Sequence, residues 1–248
     1  MDKTMPLLTP QQYVRARQAY CYNSPDCNFF IEQTGNLRYS SNFCGIFTKN
    51  IPSHYPNGIN LRQFEIICQD VFCDVFKAMQ NNTLTNIHIK NIKNISTAIV
   101  YWKMSSQGGR APIKVQNMLE KWDNNTTNNL LNAYRDRKMS QFRIGGVLIP
   151  TATAFMRFLF PNDFGIMDSR VVGKHTQPKG ITMLNVRSDG YINNTNKNAE
   201  KYYTEYIPFL RSEAKWLNDQ GITFQDTDAY GNIFNSTFRV CDIEMALF

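Results

Sequence analysis

Ile144-Gly145-Gly146-Val147-Leu148-Ile149-Pro150-Thr151-Ala152-Thr153-Ala154, followed by Phe160-Pro161-Asn162-Asp163-Phe164-Gly165-Ile166-Met167-Asp168-Ser169-Arg170-Val171-Val172, is the stretch on which the reading of this chain turns. The pattern predicts a helix that ends near Phe142, a tight turn at the two glycines and a second helix opened by Pro150. Ala152 and Ala154 are small enough to let another helix approach closely. The second helix is expected to stop at Pro161, and the chain to return through the apolar Phe-Gly-Ile-Met run. Asp168 then heads a further helix, where a carboxylate satisfies backbone N–H groups that have no partner inside the helix.

Outward from this hairpin, helical periodicity dominates. Leu61, Phe64, Ile67, Cys68, Val71, Phe72, Val75, Phe76 and Met79 recur at intervals of three and four and define one apolar stripe. Ile95–Met104, after Asn94, is apolar on most sides and reads as a central buried helix. Shorter helices are expected at about 112–122 and from Asn128 to Arg135, and a long one from Ala199 to Asn218. Arg239–Phe248 reads as a short amphipathic piece. Thr9-Pro10 reads as a cap with Pro at the first helical position, opening a helix to about Tyr20. The rest of the segment to Asn60 is rich in Asn, Ser, Pro, Gly and aromatics. The β signal is weak throughout. The expectation is a mainly α protein, with residues 1–60 an irregular N-terminal extension packed on the core. Residues 61–248 are expected to form one helical domain that contains the hairpin at 142–160.

The chain has 248 residues, with 27 Lys and Arg against 20 Asp and Glu, a net charge of +7. Its hydrophobic fraction of 42% and aromatic fraction of 13% exclude a disordered or collagen-like chain. No apolar run reaches the roughly 18 residues that a membrane helix needs, and no apolar segment precedes Pro6 as a secretory signal would require. A protein inside the cell is therefore expected, in cytoplasm or nucleoid, or in the nucleus of a eukaryote. The six cysteines form no C-x2-C pair, and Cys68 and Cys73 fall within the apolar helical pattern, so core thiols are expected. His54, His88 and His175 are scattered, and no metal site is expected. The positive charge favours a polyanionic partner by counterion release.

The hairpin segment resembles the helix-hairpin-helix DNA glycosylase superfamily, whose hairpin reads roughly L-P-G-V-G-x-K-T-A. Ile144, Gly146, Val147, Thr151 and Ala152 match that motif in type, and Pro150 occupies its lysine position. Asp168 lies eighteen positions after Pro150, the interval between lysine and aspartate in the endonuclease III branch. Ala98–Gln107 is similar to that branch's buried helix ending in Ser-Ala-Gln, whose glutamine enters the duplex. The resemblance covers residues 94–175, about a third of the chain. The departures are specific. Leu148 stands for the second hairpin glycine, Gly145 for its proline, and Gly173 where an arginine usually follows the aspartate. The segment between Gln107 and the hairpin is shorter than in endonuclease III, and the four-cysteine iron–sulfur loop is missing.

The resemblance implies a helix-hairpin-helix glycosylase-like fold and an enzyme of base-excision DNA repair that flips a damaged or modified base out of double-stranded DNA. N-glycosidic cleavage develops positive charge on the deoxyribose, and Asp168 is the candidate carboxylate to stabilise it and orient a water. A hairpin lysine would attack C1′ and form a Schiff base. With Pro150 in its place, a monofunctional hydrolase that leaves an abasic site is expected, with Lys174 a reserve nucleophile. The hairpin N–H groups at Gly146 and Leu148, with Gly145 and Thr151, are expected to hold a phosphate at the helix N-terminus. Arg143, Arg170, Lys174 and Lys179 are candidates for other phosphates, and Arg170 for the missing arginine. Tyr101, Trp102 and Phe164 are candidate walls of the base pocket, and Gln107 the plug. No cofactor, small molecule, metal or membrane is implied, and a monomer is expected. Oxidised purines, alkylated purines and a modified base of foreign DNA such as phage DNA are all open as substrates. The alternatives are an inert helix-hairpin-helix DNA-binding protein and a basic factor acting on another protein.

Overall fold

The Thr9-Pro10 start predicted above opens a helix over Pro10–Gln18 (α1), two residues short of the predicted Tyr20, begun by a reciprocal N-terminal cap. Gln12 N–H donates to Thr9 Oγ1 at 3.4 Å and Thr9 N–H to Gln12 Oε1 at 2.8 Å. The structure is a computed structural model that describes residues 6–20, 61–105, 110–142, 144, 147–172, 191–228 and 230–248. The expectation for residues 21–60 lies outside them. The chain divides into two compact units. A terminal unit holds residues 1–20, 160–226 and 233–248, and a middle unit holds 21–159 and 227–232.

In the middle unit the helices are Leu61–Gln80 (α2), Asn86–Ser105 (α3), Arg110–Glu120 (α4), Asn124–Asp136 (α5) and Ile149–Leu159 (α6), with a 3-10 turn at Met139–Phe142. The α2 stripe is buried as its periodicity predicts, from Leu61 through Val75. Helix α3 is central, with Ile92, Ile95 and Ala98–Val100 buried. It starts eight residues before the predicted Ile95-to-Met104 segment's leading Asn94. Its added turns alternate Ile87, Ile89 and Ile92 with polar residues and start from Thr85, whose N–H donates to His88 Nδ1 at 3.0 Å. A histidine in the place of the usual Glu or Gln is what hid this cap from the sequence reading. Helices α2, α3 and α6 pack on one another. Their core is aromatic: Phe158 meets Phe64 edge-on at 4.7 Å and Trp102 at 4.8 Å, and Phe142 stacks on Phe155 at 5.2 Å.

Asp123 caps α5 by accepting Thr126 N–H at 2.7 Å and the Thr126 hydroxyl at 2.6 Å. The hydroxyl first, then the amide, hold its carboxyl below the usual carboxylate range. A carboxyl lowered in this way stabilises the fold above its unfolded pKa of about 3.9. That contribution is lost as pH falls through the lower folded value. The gap in urea midpoint between wild type and Asp123→Ala is therefore expected to be full at neutral pH and to close in acid. A gap unchanged at pH of about 2 would contradict this cap.

In the terminal unit Ser169–Val171 forms a single helical turn (α7), followed in the described residues by Asn196–Lys201 (α8), a π-helical turn at Tyr202–Tyr206, Ile207–Asp219 (α9) and Val240–Leu247 (α10). The predicted long helix from Ala199 to Asn218 is thus interrupted. Pro208 has no N–H to donate to the preceding turn, and the chain widens just before it. Strands Phe224–Thr227 (β1) and Ile233–Ser236 (β2) pair as a two-stranded sheet that the weak β signal did not predict. Burial in β1 falls on Phe224 and Asp226, and a buried aspartate hides that alternation from the sequence, while Asp228 accepts Tyr230 N–H and Asn232 N–H to make the turn between the strands.

The C-terminal piece is a correction. All eight residues of α10 are buried, so it is not an amphipathic surface helix. Its Asp242 is fully buried and paired: Arg17 Nε donates to Oδ1 at 2.9 Å and Arg239 Nε to Oδ2 at 2.8 Å, with Arg17 also 3.5 Å from Asp226. Paired in this way, the acid no longer marks a solvent face. The described chain is mainly helical, and no described helix is long and apolar enough to cross a membrane.

Candidate active site

The loop that delivers Asp168 lies wholly in the terminal unit. Phe160 closes a turn by accepting the N–H groups of Asp163 at 3.0 Å and Phe164 at 2.9 Å. Phe164 is buried and stacks on Tyr202, 6.1 Å and 15° apart. Gly165 has no room for a side chain: a Cβ there would lie 2.8 Å from Leu210 Cδ1 and 2.9 Å from Glu244 Cβ. Its carbonyl accepts the Tyr202 hydroxyl at 2.9 Å, and the next carbonyl, of Ile166, accepts the Tyr206 hydroxyl at 2.8 Å. Asp168 N–H folds back onto the same Ile166 oxygen at 3.1 Å.

Asp168 is buried, 6% exposed, and caps α7. Its Oδ1 accepts Arg170 N–H at 2.9 Å and Arg170 Nε–H at 3.3 Å. The Arg170 side chain is 42% exposed, and its guanidinium carbon sits 3.8 Å from the centre of the Phe248 ring. Burial first, then Tyr203 and Glu244 for Tyr202 and Glu244, Tyr202 and Asp168 for Tyr206, raise both tyrosine hydroxyls well above the usual range. Both therefore stay protonated donors. The further helix expected after Asp168 is described only as the turn Ser169–Val171.

The hairpin lies in the middle unit. In place of the expected first helix ending at Phe142, a four-residue 3-10 turn leads into it. Val147 N–H donates to Ile144 O at 2.7 Å, and Gly145 and Gly146, on which the predicted tight turn falls, lie outside the described residues. Leu148 is 46% exposed, and its carbonyl accepts the N–H groups of Thr151 and Ala152 as α6 begins. Helix α6 starts at Ile149, one residue before Pro150, and buries Ala152 and Ala154 completely. Thr151 is also buried.

Of the residues singled out from sequence, Asp168 and Arg170 are brought into contact, with Phe164 on the same loop. Leu148 and Thr151 share the start of α6. Trp102 is packed in the core of the middle unit against Phe158. Tyr101 lies on α3 without a described side chain, and Gln107, Arg143, Gly145, Gly146, Lys174 and Lys179 fall outside the described residues. Sequence reasoning missed Tyr202, Tyr206, Glu244 and Phe248 around the Asp168 loop. For the tyrosines a signal existed, two aromatics four apart, the second two residues before a proline within a helical pattern. Searches against protein-family models, curated proteins and solved structures find no match for this chain.

Proposed function

We propose that this protein is a monofunctional DNA glycosylase of the helix-hairpin-helix type, with Asp168 as its catalytic carboxylate. What carries the reading is Asp168 itself: a carboxylate withdrawn from water, on a loop tied down at three hydrogen bonds, eighteen residues beyond the hairpin proline. As the C1′–N bond breaks, the electron pair leaves with the base and positive charge grows on the sugar. A preorganised anion in a low-dielectric setting stabilises that charge better than water does. A water attacks C1′ as Asp168 orients it, and its proton passes to the departing base. Pro150 offers no amine, so no Schiff base forms and the abasic site is the product. Leu148, 46% exposed, stands at the head of α6, where a helix N-terminus attracts phosphate. The net charge of +7 supports a duplex partner.

A second reading, an inert DNA-binding protein of the same type, is favoured by one observation. Asp168 Oδ1 is occupied by two Arg170 donors, as in an ordinary helix cap. The test is base release from duplexes carrying oxidised purines, alkylated purines or phage-type modified bases, read by mass spectrometry. Release is the expected result and names the substrate class. No release, with salt-sensitive duplex binding intact, selects the inert binder. Neither release nor binding sinks the nucleic-acid reading.

A further inference from the structure

We propose that Tyr206, seconded by Tyr202, is a positioning residue for Asp168; this rests on the reading of Asp168 as the catalytic carboxylate. The Ile166 carbonyl is the hub. Tyr206 O–H and Asp168 N–H both donate to it, at 2.8 and 3.1 Å, so the hydroxyl and the backbone of the carboxylate residue share one acceptor. Tyr202 holds the preceding carbonyl at 2.9 Å. Two adjacent peptide oxygens are therefore gripped by two hydroxyls from one helical segment.

The π-helical turn explains how one segment supplies both. Residues four apart on a helix lie on one face and are neighbours there, and the Tyr202 and Tyr206 rings stack 6.1 Å apart, tilted by 28°. The extra width of the turn comes with Pro208. Neither ring has freedom to leave. Tyr202 and Tyr206 are 0% and 1% exposed, and Phe164 stacks on Tyr202 from the loop side. From below, Leu210 and Glu244 close against Gly165. The loop is thus held from three directions, and what it carries forward is Asp168.

Loss of the Tyr206 hydroxyl leaves the Ile166 carbonyl to the local two-residue bond from Asp168. A misplacement of about 1 Å costs up to about a hundredfold in rate. Tyr206→Phe is expected to lower kcat for base release by about tenfold or more, with KM for duplex within about twofold. The exchange rate of the Arg170 amide, which reports the cap on Asp168 Oδ1, is expected to rise in the same variant. Tyr202→Phe is expected to do the same more weakly, and it stands in if Tyr206→Phe does not fold. Tyr13→Phe is the control. It deletes an equally buried hydroxyl hydrogen bond, to Glu213 in the same unit, and is expected to lower stability while leaving kcat unchanged.

Wild-type kcat in a folded Tyr206→Phe, or an equal loss in Tyr13→Phe, overturns the proposal. An unchanged Arg170 amide in both clamp variants does so as well, because that readout needs no catalysis. If wild type releases no base from any duplex, the glycosylase reading has failed and the catalytic role of the clamp falls with it. The amide exchange then still shows whether the tyrosines hold Asp168 in place.

Discussion

Asp168→Asn is expected to cut base release by about a thousandfold while changing duplex affinity by less than about threefold. The asymmetry follows from what the substitution keeps. Asparagine caps a helix about as well as aspartate, so its amide oxygen still accepts Arg170 N–H and α7 keeps its start. Shape and volume are conserved in a buried site, and the loop bonds through Tyr202, Tyr206 and Asp168 N–H do not involve the side chain. What disappears is the negative charge. In the ground state that charge faces Arg170, 3.3 Å away and partly exposed to solvent. On the proposed glycosylase reading it faces the cationic sugar in the transition state, and its loss is felt there. Single-turnover kinetics alongside a binding titration separate the two effects. Wild-type turnover in Asp168→Asn would reduce this residue to a helix cap.

The second large effect concerns stability. Arg157 and Glu65 are an ion pair at 2.7 Å with side chains 1% and 3% exposed, and the guanidinium also lies over the Phe158 ring at 4.4 Å. The pair ties α6, the second arm of the hairpin, to α2. Removing one partner leaves a charge in the aromatic core, at a cost of about 3–5 kcal/mol. Glu65→Leu and Arg157→Met are each expected to lose that much. The double variant, which removes both charges at similar volume, is expected to lie within about 1–2 kcal/mol of wild type or above it. Urea unfolding followed by Trp102 and Trp122, with Trp216 replaced by Phe, reads the middle unit separately. Additive losses in the double variant would mean that the two charges do not compensate each other.

Charged residues mark how far the sequence reading reached. Arg17, Arg157, Glu65 and Asp242 stand in the sequence like any solvated charge, and all four are buried. Arg17 pairs with Asp242 and Glu65 with Arg157 far along the chain, so no local window shows these two pairs, although Asp242 is also held by Arg239 three residues before it. The amphipathic reading of α10 failed because the charged residues of that segment, Asp242 and Glu244, are buried with the rest of the helix. The break in the helix before α9 was legible in Pro208, but that the widened turn would aim two hydroxyls at one loop was not. Asp168 was found because capping chemistry is local, and its tyrosine supports were missed because they arrive from about forty residues away.

Composition and periodicity alone determined that the chain is mainly helical, where α1, α2 and α6 begin, that α3 is buried, and that Asp168 heads a helical turn. These properties are set by neighbours within about one or two turns, through caps, apolar spacing and the geometry of proline and glycine. Tertiary structure decided the division into two units, the burial of α10, and the ion pairs that hold α2 to α6 and α1 to α10. It also decided the grip of Tyr202 and Tyr206 on the Asp168 loop. Those depend on which distant surfaces meet, and burial gives a distant charge or hydroxyl its strength by removing the water that would otherwise compete for it.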